Sequence, residues 1–210
     1  MPHSRPLYIS PPIIGRLRIV QELTKNIKGF SLDIGCKDVR LGDINIDNDT
    51  NVKPDVLADA LNLPFKSETF DLVFLTEVIE HLPSKTEQLA LSEIFEVLRK
   101  KGTLIMTTPN DRTFFTLLDP TKFRTGHRHY HMKNIQKMVE NAGFSVKSIF
   151  TAGRFWEFAS FLWCSLISYP LKRILNINVE YAPLFLLNRA DAEYNKIGLG
   201  RYTIFVIAKK

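Results

Sequence analysis

Three aspartates and one histidine in the first half of this chain have the types and spacing that chemistry needs. Asp33 stands two residues before Gly35, Asp47 closes the run Ile44-Asn45-Ile46, and Asp59 ends the run Asp55-Val56-Leu57-Ala58. The first two read as short buried parallel strands with an acid at or near the carboxyl end, and the third as a short strand ending in another acid. Ligands of open α/β sheets bind just beyond such ends. Gly35 lacks a Cβ and lets backbone approach a ligand closely, and an acid placed like Asp47 can accept hydrogen bonds from a ribose diol. The chemistry asked for is a nucleoside-containing cofactor. Taken alone, each acid could instead be a turn or cap residue. Further on, Glu77, Glu80 and His81 follow the apolar run Phe70-Asp71-Leu72-Val73-Phe74-Leu75. Beyond a central strand, His81 could serve as a general base or as a structural hydrogen-bonding residue. Glu77 and His81 are four apart and would share a face on a helical turn.

These residues need a sheet to hold them. Phe30 to Asp33 predicts the first strand and Ile44 to Asp47 the second, with only Cys36 to Gly42 between them. A parallel crossover normally takes a dozen residues or more, usually a helix, so a bare loop or single turn is expected here. Phe70 to Leu75 predicts a central strand, Ser84 to Leu98 a helix with Leu89, Leu91, Ile94, Phe95, Val97 and Leu98 apolar, and Thr103 to Thr107 a strand. Arg99 to Lys101 would suit the helix carboxyl end and Gly102 its stop. Met132 to Ala142 predicts a helix, and Phe144 to Phe150 and Tyr202 to Ala208 two strands. Upstream, Ile13, Ile14, Leu17, Val20, Leu23 and Ile27 recur at helical spacing after a proline-rich arm at 1–11. That helix is either a flap over the cofactor or simply packing on the sheet. The alternation means a doubly wound, mainly parallel sheet with helices on both faces.

The 210 residues fit one domain, with an arm and helix at 1–28 and a helical insert at 152–200. Two cysteines, Cys36 and Cys164, form no disulfide framework or zinc pattern, so a reducing, cytoplasmic setting is expected. A formal charge of +6 favours anionic partners without choosing among them.

In order, the segments Leu-Asp-Ile-Gly-Cys, Ile-Asn-Ile-Asp, Ala-Asp-Ala-Leu-Asn-Leu-Pro-Phe, Phe-Asp-Leu-Val-Phe-Leu-Thr-Glu-Val-Ile-Glu-His-Leu and Lys-Gly-Thr-Leu-Ile-Met-Thr-Thr-Pro-Asn resemble the class I S-adenosylmethionine-dependent methyltransferases. Within them, the chain looks like the small-molecule group that includes the ubiquinone-biosynthesis O-methyltransferases. Its short first loop is similar to that of methyltransferases associated with surface-polysaccharide synthesis. The resemblance covers roughly residues 30–150 and implies a Rossmann-like fold and S-adenosyl-L-methionine as cofactor. It implies that Asp33, Gly35 and Cys36 face the methionine part, and that Asp47 takes both ribose hydroxyls. Asp59 and the Ala60 N–H would meet the adenine edge, and Leu61 would pack on its face. Leu75 and Thr76 would offer backbone carbonyl to the methionine ammonium. One position departs from the family, which usually has a second glycine where this chain has Lys37. A lysine there could pair with the methionine carboxylate or be a solvated surface residue.

Methyl transfer then needs alignment and, for a hydroxyl acceptor, a base. His81 and Glu77 are the candidate catalytic residues. The cluster Gly-His-Arg-His-Tyr-His at 126–131 reads as an acceptor-side loop rather than a metal site, since no cysteine pair or clear acidic ligand set accompanies it. The aromatic stretch Phe155 to Leu175, with Trp156 and Trp163, has an uncharged run only from Phe158 to Leu171, too short and too flanked to span a bilayer, and Val179 to Leu187 adds apolar surface to the same insert at 155–187. Three roles stay open for it: a cap over the acceptor pocket, an interfacial segment on a membrane, or a homodimer surface. The expected function is methylation of a small or lipid-linked acceptor, at oxygen. The alternatives are a methyltransferase-fold binding protein weakened by Lys37 and the short loop, or a glycan or nucleic-acid methyltransferase. Nucleic acid is disfavoured: no Asn-Pro-Pro-aromatic tetrad or Pro-Cys nucleophile follows the central strand.

Overall fold

The crossover from the first strand to the second runs only from Gly35 to Asp43, and its shortness shapes what surrounds it. The structure, a computed structural model, describes residues 13–37, 39–111, 128–168, 171, 182–195 and 200–210. The proline-rich arm, the first two residues of the 126–131 cluster and much of the apolar insert lie outside these. In chain order the elements are α1 (Ile13–Thr24), β1 (Ser31–Ile34), β2 (Ile44–Asp47), β3 (Val56–Leu57), β4 (Phe70–Thr76), α2 (Glu87–Val97), β5 (Leu98–Pro109), α3 (Met132–Asn141), β6 (Ser145–Ala152), α4 (Phe155–Trp163), α5 (Leu184–Glu193) and β7 (Thr203–Lys209). The seven strands form one sheet in the order β3-β2-β1-β4-β5-β7-β6. Pairings from β3 to β5 are parallel, and β7 runs antiparallel to both its neighbours. This is the predicted doubly wound, mainly parallel sheet.

The short crossover works because its own side chains fasten it across β1. The backbone N–H and hydroxyl of Ser31 donate to Asp43 Oδ2 at 2.9 and 2.7 Å, and the Asp43 N–H donates back to Ser31 Oγ at 3.0 Å. Leu41 N–H donates to Asp33 Oδ2 at 3.0 Å, and Gly42 N–H to Asn45 Oδ1 at 3.2 Å. A loop held this way leaves no helix between the strands to cover that side of the sheet. α1 covers it instead: Ile19 and Val20 pack with Leu72, Phe74, Ile105, Phe205 and Tyr194, and Leu41 joins them from the loop. Of the two roles open for the first helix, packing on the sheet is the one seen. The opposite face carries the larger core, where Leu32, Val73, Leu75, Leu104, Met106 and Val206 meet α2 and α3.

Two local expectations are corrected. α2 buries Ala90, Leu91, Ile94 and Val97, while Leu89 points outward at 49% exposure. The basic run Arg99 to Lys101 does not close the helix but begins β5. Leu98 is fully buried and pairs with Phe70 across β4, so sheet burial outweighs the favourable placement of cations at a helix end. Lys101, at φ 66°, takes the left-handed conformation expected of Gly102.

Gly42 crosses so close to β1 that a Cβ would lie 2.7 Å from both Asp33 N and Ile44 O. Both contacts are backbone, so no side chain can swing aside. Gly42→Ala should therefore destabilise the fold by about 1–3 kcal/mol, read as a lower urea midpoint with unchanged slope; equal midpoints would show that the crossing has slack.

Candidate active site

The carboxyl ends of β1, β2 and β4 bring Asp33, Gly35, Cys36, Asp47, Leu75, Thr76 and Glu77 to one edge of the sheet. Asp33 is 1% exposed. One of its oxygens accepts from Leu41 N–H, while Oδ1 is buried with no hydrogen-bond partner. Burial, with help from the negative charge of Asp47, pushes the Asp33 carboxyl up to about 7, against the opposing Leu41 hydrogen bond. A buried acceptor left unmatched normally has a partner supplied from outside. Gly35, at φ 72°, donates its N–H to Ile46 O at 2.8 Å. A Cβ on it would come 2.5 Å from Val78 Cγ2, so only glycine leaves room between β1 and the turn after β4. Cys36 is buried beside these acids, its thiol pushed up to about 12 by burial and by Asp33 and Asp47.

Asp47 accepts the Lys37 N–H at 3.1 Å on Oδ2 and the Asp49 N–H at 3.0 Å on Oδ1. Each carboxylate oxygen keeps further acceptor capacity. Lys37 is exposed with φ 41°, a conformation that favours glycine. Past β3, the exposed Asp59 accepts Leu61 N–H at 2.9 Å on Oδ1, an Asx turn that leaves Oδ2 outward. Ala60 is buried, and Leu61 packs against the larger core. The cap reading of Asp59 is thus realised on one oxygen, with the other still available. The orphaned Asp33 oxygen, the glycine cradle against Val78 and the acid ending β2 together fit a cationic, ribose-bearing cofactor.

At the other side of this edge lies a charge cluster that sequence reasoning missed. Arg16 of α1 reaches Glu77 Oε2 and Glu157 Oε1, each at 3.0 Å. The Tyr194 hydroxyl donates to the same Glu157 oxygen and lies 3.4 Å from Thr203 Oγ1. Burial works against the Arg16 charge, but Glu77, Tyr194 and Glu157 outweigh it and hold the guanidinium firmly protonated. Burial lifts the Glu157 carboxyl to about 7 even against Arg16. Glu80, 1% exposed, accepts from Thr108 Oγ1 at 3.1 Å, and burial followed by the Glu77 charge holds its carboxyl well above the usual range. The sequence signal was faint: Arg16 stands three and four residues before Ile19 and Val20, on the buried stripe of α1.

Glu77 and His81 do not share a helical face. Glu77 has φ 55°, and a 3-10 turn forms only from Ile79 to His81. The left-handed residue turns the Glu77 carboxylate onto Arg16 and leaves Oε1 buried without a hydrogen-bond partner. His81 is exposed at the end of the turn. Two members of the 126–131 cluster hold that turn by its carbonyls. Arg128 donates to Ile79 O at 3.1 Å and to Leu82 O, and Tyr130 donates to Ile79 O at 3.2 Å. Both also engage Glu87, at 3.0 and 3.1 Å. His131 caps α3 by accepting Lys133 N–H at 3.3 Å. Among the described residues no three His, Cys, Asp or Glu gather as a metal site would need.

The methyltransferase-domain family matches residues 21–106. The chain is 27% identical over 128 residues to phosphoethanolamine N-methyltransferase 2 of Caenorhabditis elegans, covering 61% of this chain and 28% of that one. It is 36% identical over 89 residues to a protein of Mycolicibacterium smegmatis described as a probable S-adenosylmethionine-dependent methyltransferase, covering 40% and 32%. The chain spans less than half the length of the curated relatives it matches. Among solved structures, an S-adenosylmethionine-dependent methyltransferase of Thermotoga maritima superposes with a TM-score of 0.63 at 16% identity, covering 95% of this chain and 91% of that one. At that identity the likeness is one of fold.

The protonated fraction of Asp33 makes its ligand pH-dependent. A cation beside the carboxyl favours its ionised form, so binding below about pH 7 must expel a proton. Affinity for S-adenosylmethionine should rise as pH goes from about 6 to about 8, by at most about tenfold per pH unit, then level off. Calorimetry in two buffers of different ionisation heat counts the proton. Asp33→Asn should abolish the slope, and a slope that survives would assign the proton elsewhere.

Proposed function

We propose that this chain, whose residues 21–106 match the methyltransferase-domain family, is an S-adenosylmethionine-dependent methyltransferase that transfers a methyl group to a small or lipid-linked acceptor. The observation that carries the reading is the pair of buried acids at the ends of β1 and β2, one of them, Asp33, with an orphaned oxygen. When bound, S-adenosylmethionine supplies a methyl already activated on its sulfonium. The chain's own residues then have to bind, orient and shield. Asp33 faces the cationic methionine end with Gly35, Cys36 and the carbonyl edge of Leu75 and Thr76, and Asp47 accepts from the ribose. Asp59 Oδ2, Ala60 N–H and Leu61 meet the adenine. Lys37, exposed on the same loop, pairs with the methionine carboxylate; Arg16 is the less available cation because Glu77 and Glu157 already share it.

The acceptor enters beside the turn at 79–81. There His81 takes a proton from an acceptor hydroxyl, and the free Glu77 Oε1 orients the acceptor. Arg128 and Tyr130 are positioning residues for that turn. A second reading, methylation at nitrogen, is favoured by the relative named as a phosphoethanolamine N-methyltransferase and by Glu77 Oε1, a natural partner for an ammonium. Turnover with matched panels of amines and hydroxyl acceptors separates the two; turnover with neither, beside intact cofactor binding, would favour the weakened binding protein.

Asp47→Ala leaves ribose hydroxyls unpaired, a loss of about 1–3 kcal/mol. Affinity for S-adenosylhomocysteine should fall about tenfold or more by calorimetry. A folded variant that binds normally would remove Asp47 from the site.

His81→Ala should lower kcat by about 100-fold or more and leave cofactor affinity within about twofold. A parallel loss of both would mark a structural histidine, and no loss of rate would point to the nitrogen reading.

A further inference from the structure

The helical insert ends in an apolar tip that the sheet does not cover. α4 leaves β6 at the same edge as the cofactor-side acids, because β6 and β5 both run antiparallel to β7. α5 returns alongside it. Glu193, the last residue of α5, accepts the backbone N–H groups of Arg154, Trp156 and Glu157 at the start of α4. At the far end, Ala182, just before α5, lies beside Cys164, just after α4. That far end exposes Leu166 at 60%, Ile167 at 37%, Leu184 at 72% and Phe185 at 59%. Four large apolar side chains at one end of a helix pair need a cover.

The charges on the same two helices say which. Every acid on α4 and α5 is turned toward the body: Glu157 onto Arg16, Asp191 onto Arg18 at 3.3 Å, and Glu193 onto the start of α4. The bases at this pair, Arg154 and Arg189, are exposed. Arg189 lies one turn beyond Phe185 on the outward face of α5, its guanidinium 4.8 Å over the Trp156 ring. An apolar tip and the outward Arg189, with no acid turned outward among the described residues of α4 and α5, match an anionic bilayer surface, on a chain of net charge +6. A second copy fits less well. A stable dimer buries about 800 Å² per partner, and four partly exposed side chains offer a fraction of that. No helix among the described residues is long and apolar enough to cross a membrane, so the tip would lie in the interface.

We propose that the α4–α5 tip docks the protein on an anionic lipid surface, with Leu166, Ile167, Leu184 and Phe185 in the interface and Arg189, one turn behind them, toward the headgroups. Docking itself does not depend on methyl transfer. Its use, to bring a bilayer-borne acceptor to the carboxyl edge of the sheet, rests on the proposed activity.

The test is co-sedimentation of the full chain with vesicles of phosphatidylcholine alone, or with about one third phosphatidylglycerol. Binding should require the anionic lipid and weaken as salt screens it. Leu184→Ser/Phe185→Ser should reduce binding about tenfold or more, and Leu166→Ser/Ile167→Ser likewise, with thermal midpoints kept as the fold control. Arg189→Glu should shift binding toward lower salt. No binding by the natural chain, or equal binding by both double variants, overturns the proposal. So does a dimer in sedimentation that the substitutions dissociate. Cofactor calorimetry on the same samples reports separately on the methyltransferase reading.

Discussion

One guanidinium holds together elements that are far apart in the chain. Arg16 belongs to the first helix, Glu77 to the turn after the central strand, and Glu157 to the insert, 141 residues away. Taking three charged groups out of water is costly, and their attraction offsets this only when the geometry is good and the remaining groups are hydrogen-bonded. Here Tyr194 adds a donor to Glu157 and links α5 as well. Close backbone approach makes the cluster possible. Gly15 lies where a Cβ would sit 2.5 Å from the Tyr194 ring, and Gly153, at φ 74°, leaves the space that a Glu157 oxygen fills. The conformation of Glu77, and with it the acceptor side of the site, therefore depends on a helix that precedes the sheet.

That helix is where it is because of the crossover. With nothing but Gly35 to Asp43 between β1 and β2, one side of the sheet has no helix of its own there, and α1 supplies the missing apolar stripe. The same economy shapes the cofactor side. A loop drawn tightly across β1 puts the Leu41 N–H on one Asp33 oxygen and the Lys37 N–H on Asp47, and the turn after β2 adds the Asp49 N–H. Both acids are thereby oriented by backbone before any ligand arrives. Lys37 adopts the left-handed conformation that the usual glycine would take freely, at a cost of about 1–2 kcal/mol.

The sheet was legible in the sequence because its strands are short apolar runs whose ends carry acids, and because strand and helix signals alternate. Asp33, Gly35 and Asp47 could be placed at one edge on that basis alone. Helix phase and ends were less legible. Leu89 and Leu91 carry the same apolar signal, and only packing against the sheet turns Ala90 and Leu91 inward. Arg99 to Lys101 satisfy a helix-end pattern while Leu98 is drawn into the sheet by Phe70. The Arg16 cluster was hidden for a different reason: its members sit in three distant segments, and no local rule relates an arginine in one helix to a glutamate in another. The 126–131 cluster looked like a loop that touches the acceptor. Its Arg128 and Tyr130 bind the carbonyls of the turn that bears His81, a contact that depends on tertiary structure and leaves no spacing to read.

The distribution of charge ties the two halves of the molecule together. The chain is basic overall, yet the carboxyl edge of its sheet gathers Asp33 and Asp47 on one side and Glu77, Glu80 and Glu157 near the buried Arg16 guanidinium on the other. Ionising all of them in so dry a setting would be prohibitive, and Asp33, Glu80 and Glu157 accordingly hold their protons to higher pH than free carboxyls do. In the proposed function, the cationic cofactor beside Asp33 is the compensation the protein itself does not provide there. The excess of positive charge consequently lies outside that edge, on surfaces such as the outward face of α5. The acids are spent on the interior of the site, and the bases are left to meet whatever anionic surface the protein encounters.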